Sequence, residues 1–130
     1  NIQVMGHIGY TPQFKKKFKV EGFSKNDERK LIRQAKNIES AGAFSIVIEC
    51  VAAKTAAKIT QELKIPTIGI GSSINCDGQI LVTDDILGLS GFNPKFLKKY
   101  GNLTKSIEKS IQKYKNDVEK KLFPKKINSY

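Results

Sequence analysis

Residues 43–51, AFSIVIECV, run apolar without strict alternation and carry one carboxylate, Glu49, at the end of the run. Strands with one face in water alternate, whereas strands buried on both faces, as in parallel sheets, do not. Parallel neighbours need a crossover between them. The following residues supply one: AAKTAAKITQELK (52–64) is an alanine-rich helical stretch, and IPTIGIG (65–71) is a second buried run. Strand, helix, strand is the pattern of an α/β fold. A third run, GQILVT (78–83), follows with only the seven residues between Gly71 and Gln79 as a connection. That is too short for an ordinary crossover helix, so the pattern alone favours a hairpin there unless SSINCDG makes a short helical turn.

Around this centre the chain is readable in pieces. NIQVMG (1–6) reads as a short buried strand ended by Gly6, and HIGYTPQ as a turn-rich loop after it. FKKKFKVEGF (14–23) alternates loosely at Phe14, Phe18 and Val20, which suits an extended lid segment. In SKNDERKLIRQAKNIESAG (24–42) the apolar stripe Leu31, Ile32, Ala35, Ile38 and Ala41 predicts a helix, with Ser24 or Asn26 as its cap and Gly42 as its stop. From Leu103 apolar residues recur at Ile107, Ile111, Tyr114, Val118 and Leu122, predicting a long C-terminal helix capped by Asn102 and terminated by Pro124. There is no repeat at solenoid spacing and no low-complexity linker. A length of 130 residues suits one domain with a sizeable core.

The formal charge of +11 raises the question of a polyanionic partner. Between Lys95 and Tyr130 eleven lysines face only Glu108, Asp117 and Glu119, so this stretch carries +8. Yet arginine, the residue suited to bidentate phosphate and base recognition, occurs only at Arg29 and Arg33. No recognition motif accompanies the charge, so a solvated lysine-rich helix face is expected rather than specific nucleic-acid binding. No apolar run approaches the roughly 20 residues of a membrane span. The absence of a charged-then-apolar leader, with two cysteines (Cys50, Cys76) in no metal or redox spacing, points to a cytoplasmic setting with buried thiols.

Few residues are candidates for chemistry. Glu49 is the strongest, because a carboxylate at the C-terminal end of a parallel strand sits where α/β folds place their reactive groups. Along the strand Val47 and Glu49 share one side, and Ile48 and Cys50 the other. A structural pairing with a nearby lysine would explain Glu49 equally well. His7, the only histidine, also follows a strand, although a hydrogen bond inside its loop would account for it. GIGSS (69–73) offers backbone donors but lacks the Walker lysine and the full dinucleotide fingerprint. Thr83–Asp85, TDD, reads more economically as a helix cap with first-turn acids than as a metal pair.

Taken together, VMGHIGYTPQ (4–13), AGAFSIVIECV, IPTIGIGSSINCDGQILVTDDILGL and PKFLKKYGNL (94–103) resemble the ketopantoate hydroxymethyltransferase family, in order, from Ile2 to about Pro124. The resemblance implies an α/β fold of (β/α)8 TIM type, of which residues 1–130 form the C-terminal half, about strands five to eight. The N-terminal half is then absent from this chain. It favours a parallel strand at GQILVT, and it fits a chain that opens on Asn1 and reaches strand-like sequence at once. It implies hydroxymethyl transfer from 5,10-methylenetetrahydrofolate to 3-methyl-2-oxobutanoate, giving 2-dehydropantoate in pantothenate biosynthesis. Glu49 matches the catalytic base and His7 a histidine that contacts the bound keto acid or product. A divalent metal, typically Mg2+, chelates the keto acid in such enzymes, and its ligands are expected in the missing half, with none in this chain. Such chelation acidifies a carbon next to a ketone, which a carboxylate cannot deprotonate unaided. The base must then lie within hydrogen-bond reach of the proton.

The complete enzyme is expected to be a homo-oligomer, and the isolated chain inactive. One departure is plain: a glycine-rich stretch usually follows TPQ in the family, and here it reads FKKKFKVEGF. Ser72 and Ser73 stand where small residues are usual. Two other readings compete. One is a lyase or mutase of the phosphoenolpyruvate-binding barrels, against which GHIGYTPQ and CDGQILV argue. The other is a basic binding module acting through the lysine-rich helix, which nucleic-acid binding across a salt series would expose.

Overall fold

The computed structural model describes residues 2–14 and 17–130. They belong to two compact units, Asn1–Leu81 and Val82–Tyr130. The first unit holds β1 (Met5–Gly9), α1 (Lys25–Ser40), β2 (Ser45–Glu49), α2 (Ala53–Glu62), β3 (Thr67–Ile70) and β4 (Gly78–Gln79). All neighbouring strands are parallel and stand in the order β1-β2-β3-β4. This is an α/β unit whose strands succeed one another as consecutive strands of a (β/α)8 barrel do.

The alternation along each strand sorts the residues between two faces. Ile8, Ile46 and Ile48 point toward the helices and pack with Leu31 and Ala35 of α1 and Ala56 and Ile59 of α2, all buried. Each such large side chain contributes about 1.5–3 kcal/mol. Ala35 and Ala56 are completely buried, and their small size brings the helices close to the sheet. The opposite face carries Met5, His7, Val47, Glu49, Ile68 and Ile70, all half-buried or exposed. A parallel sheet normally has both faces covered; here one is open.

Helix α1 begins where expected. The Ser24 hydroxyl accepts from Asp27 N at 3.0 Å, Asp27 and Glu28 occupy the first turn, and Gly42 (φ +91°) follows the end. Glu39 then ties the end of α1 to the start of β3, its Oε1 accepting from Lys64 N and Ile65 N at 2.6 and 3.1 Å.

Two boundaries differ from the sequence reading. The first strand does not end at Gly6 but begins at Met5 and runs to Gly9, so His7 lies within the strand rather than in a loop after it. Gly6 serves close packing: a Cβ there would sit 2.3 Å from Ile38 Cγ2. The true stop is Gly9, whose φ of +88° turns the chain out of the sheet. The second difference is the length of β4: it is parallel, as the resemblance favours over the hairpin of the bare pattern, but only two residues long. Residues 71–77 make the connection with turns and no helix. They suffice because β3 is so short: the return covers about 10 Å, and seven residues span more than that. Asp77 fixes the far end, its Oδ2 accepting from Thr67 N and Thr67 Oγ1 at 2.8 and 2.9 Å.

The second unit contains α3 (Thr83–Ile86), α4 (Leu103–Glu119) and a 3-10 turn (Lys126–Asn128). Thr83 is not a cap. The cap position is Val82, without a side-chain bond, although Asp84 and Asp85 do fall in the first turn. The start of α4 is tied to α3: Leu103 N donates to Leu87 O at 2.9 Å and Thr104 Oγ1 to Gly88 O at 2.7 Å. Asn102 caps α4 by accepting from Lys105 N at 3.2 Å. The apolar stripe of α4 is exposed, with Ile107, Ile111 and Tyr114 at 51, 63 and 58 %.

Candidate active site

The β1–β2 register sets His7 beside Val47 and Gly9 beside Glu49. His7 and Glu49 therefore share the open face, one step apart on a diagonal. Opposite Glu49 stands Gly9, where a Cβ would collide with Glu49 O at 2.1 Å, and beyond it Tyr10 N donates to Glu49 O at 2.8 Å. His7 Nε2 approaches Glu49 Oε2 to 3.1 Å, with the two side chains 32 and 19 % exposed. The approach is one of proximity only. Its angles do not make a hydrogen bond, and Nε2 is buried without a hydrogen-bond partner. An orphaned buried ring nitrogen beside a carboxylate is costly unless something else satisfies it. A ligand oxygen bound on the open face would do so. Among the described residues the basic group paired with Glu49 is His7.

Beyond Glu49 the strand ends abruptly. Cys50 takes a left-handed conformation (φ +52°), uncommon for a residue with a side chain. Its amide donates to Ile70 O at 2.8 Å, and its carbonyl accepts from Glu21 N at 3.0 Å. The thiol is completely buried. Burial, and secondarily the Glu49 carboxylate, push it up to about 11, so it is a neutral packing group and not a nucleophile. Nothing in the residue order signals this turn, since cysteine is an ordinary residue for a buried strand.

Of the 14–23 segment, Lys15 and Lys16 lie outside the described residues. The remainder crosses the end of β2. Glu21 bridges Val51 in parallel, Ala52 N donates to Glu21 O at 2.8 Å, and the buried Thr55 Oγ1 donates to Gly22 O at 2.7 Å. Phe18 stands edge-on to Tyr10 with ring centroids 5.4 Å apart. Beside His7 a cavity of about 390 Å³ opens, lined also by Thr11, Glu21, Lys30 and Gln34.

The remaining sequence candidates are turned inward on themselves. In the GIGSS turn, Ser73 Oγ accepts from Asn75 N at 3.2 Å and Ser73 O from Gln79 Nε2 at 2.8 Å. Asp85 is buried and accepts from Ser90 Oγ. Among the described residues no three His, Cys, Asp or Glu side chains gather in a group able to hold a metal ion. No helix among them is long and apolar enough to cross a membrane.

Comparison with known proteins gives these strand ends a context. The family model for ketopantoate hydroxymethyltransferase matches residues 1–126. The chain is similar to proteins named 3-methyl-2-oxobutanoate hydroxymethyltransferase. That of Pelagibacter ubique is 46 % identical over 99 % of this chain and 50 % of its own length. That of Enterococcus faecalis is 51 % identical over 95 % of this chain and 46 % of its own. For Sulfolobus acidocaldarius the identity is 51 %, over 98 % of this chain and 48 % of the relative. The chain therefore spans about half the length of the curated relatives it matches.

Proposed function

The chain belongs to the ketopantoate hydroxymethyltransferase family, and from that premise we propose that it is the C-terminal half of a (β/α)8 enzyme acting on 3-methyl-2-oxobutanoate. The reaction is hydroxymethyl transfer from 5,10-methylenetetrahydrofolate, giving 2-dehydropantoate. The observation that carries this reading is the His7–Glu49 pair, 3.1 Å apart on adjacent parallel strands with an unsatisfied ring nitrogen. In barrels of this kind the C-terminal ends of the strands bear the chemistry.

In the proposed mechanism Glu49 takes the proton from C3 of the keto acid, and the electron pair left behind moves toward the ketone. Water opens the methylene bridge of the donor, breaking its two C–N bonds, so that tetrahydrofolate departs with a hydrogen on each nitrogen and the one-carbon unit is left at the oxidation level of formaldehyde. C3 then bonds to that carbon, and the proton held by Glu49 returns to the new hydroxyl oxygen. His7 Nε2 is placed to hold an oxygen of the keto acid or of the product, which would satisfy its missing hydrogen bond. Removing a proton next to a ketone needs more acidification than a carboxylate can exploit unaided. A bound divalent metal such as magnesium would supply it. His7 and Glu49 alone do not make a site for it, so the residues of this chain do not fit the ion by themselves, and its ligands belong to the other half.

The test is donor-free exchange. The full-length protein, given 3-methyl-2-oxobutanoate and magnesium in D2O, should wash deuterium into C3 on a timescale read by proton NMR. Absence of exchange would overturn the reading. It would return attention to the barrel lyases, or to a binding role for the lysine-rich helix.

A further inference from the structure

None of the residues of α4 is buried, and the bonds that tie it to the end of α3 come from its first turn, at Leu103 and Thr104. Its apolar stripe has an internal symmetry. Ile107, Ile111, Tyr114 and Val118 succeed one another at spacings of four, three and four, the same read from either end. They are 51, 63, 58 and 43 % exposed. Leu103 in the first turn and Leu122 just past the end extend the pattern by four residues on each side. Phe123 closes the row by standing edge-on to Tyr114, ring centroids 5.7 Å apart. At 3.6 residues per turn, Lys105, Lys109, Lys113 and Lys120 fall on the side away from the stripe. Glu108 and Lys115 fall together on one flank of it, where Lys115 Nζ also lies 3.7 Å from Glu119 Oε1.

We propose that α4 pairs antiparallel with α4 of a second copy of this chain, about a two-fold axis that passes between Gln112 and Lys113. A two-fold contact sets residue i against j and j against i. A stripe that covers its own copy must therefore read alike in both directions, and a stripe made for a different surface has no such need. In this register Ile111 packs on Tyr114 of the other copy, Ile107 on Val118 and Leu103 on Leu122. Burial of these half-exposed side chains drives the association. The flanking charges agree with it. Lys115 comes level with position 110 of the other helix, about 3 Å along the axis from its Glu108 at 1.5 Å per residue. The two-fold axis makes that opposite-charge approach twice. The lysines on the far side stay in water, which lets a stretch of charge +8 meet its own copy.

The experiment is disulfide trapping in the full-length protein, read on non-reducing gels, with sedimentation velocity beside it. Ile107→Cys/Val118→Cys sets two thiols eleven residues apart on one helix, roughly 16 Å, too far to bridge within a chain. The pairing brings each against the other in the second copy. Mild oxidation should convert most of this variant to covalent dimer, with the wild type, whose Cys50 and Cys76 are buried, as the blank. Ile107→Cys alone should give less than a tenth of that yield, because its two copies stand roughly 16 Å apart along the axis. Ile111→Asp, which puts a charge at the centre of the stripe, should at least halve the sedimenting mass. No covalent dimer from the double-cysteine variant would overturn the proposal and show that the other half of the protein, or some other surface, covers the stripe. Equal trapping by Ile107→Cys alone would overturn it in favour of a parallel pair or of random collision. An Ile111→Asp protein of unchanged mass would overturn it as well.

Discussion

At the scale of single residues, Glu49 was legible because its strand is so uniformly apolar that one carboxylate at the end stands out. His7 was recognised as a candidate but misplaced, because Gly6 signals a strand end as readily as it signals close packing against Ile38. The base assignment predicts that Glu49→Gln, in the full-length protein, lowers C3 proton exchange by about 10²- to 10⁴-fold. Keto acid binding should survive, and an exchange rate equal to the wild type's would remove Glu49 from the role. His7→Ala should cost less, about 1–3 kcal/mol in kcat/KM, the worth of one orphaned polar partner. An unchanged kcat/KM would show that His7 serves only the sheet. Cys50 gives a pH dependence. Its thiol is pushed up to about 11 from an ordinary 9.0, so the folded protein keeps a proton that the unfolded chain releases between these values. The stability this brings is complete below pH 9 and is lost as pH climbs toward 11, by roughly 2–3 kcal/mol. Urea denaturation across that range should show the decline, and Cys50→Ala should flatten it relative to the wild type.

Among the elements, the long periodic helices and the buried strand β2 were readable because many residues repeat one signal. The hydroxyl of Ser24 and the side chain of Asn102 cap the two long helices as their residue types demand. The short elements were not readable, since each is set by one or two long-range bonds. The β3–β4 step is the clearest case. Nothing in SSINCDG announces that Asp77 will reach back to Thr67, and yet that reach makes the strand parallel. Thr67 is fully buried, so Asp77→Ala strands its amide, while its hydroxyl keeps Thr60 Oγ1, and should destabilise the protein by about 1–3 kcal/mol. The Thr67 amide, and then its hydroxyl, hold the Asp77 carboxyl below its ordinary 3.8. That contribution is present at neutral pH and disappears as acid protonates the carboxylate below its ordinary value. Chemical denaturation of wild type and variant at pH 7 and at a series of pH values below 3.8 should therefore give curves that converge as pH falls. Curves that stay parallel would show that Asp77 is a bystander.

For the molecule as a whole, the resemblance carries what periodicity could not: the proposal that this sheet is half of a (β/α)8 barrel. β1 and β4 each have a strand neighbour on one side only among the described residues. Open parallel edges present unpaired amides and carbonyls, which natural sheets cover, pair or close into a barrel. The face bearing Met5, Val47, Ile68 and Ile70 lacks the opposing wall a barrel interior would have, and α4 leaves its apolar stripe exposed. Burial of that surface is the largest stabilising term still to be gained, and pairing with a complementary half or with another copy gains it. The isolated 130 residues should therefore self-associate or remain poorly ordered and show no transferase activity. Supplying the N-terminal half in trans should restore order and activity together. Sedimentation velocity, joined to hydrogen exchange, reads this directly. The amides of β2 and β3 should be protected and the outward amides of β1 should exchange fast, until the other half is added and protects them. A compact monomer with both edge strands strongly protected would overturn the half-barrel assignment, because an edge protected without a partner is an edge the fold has already closed.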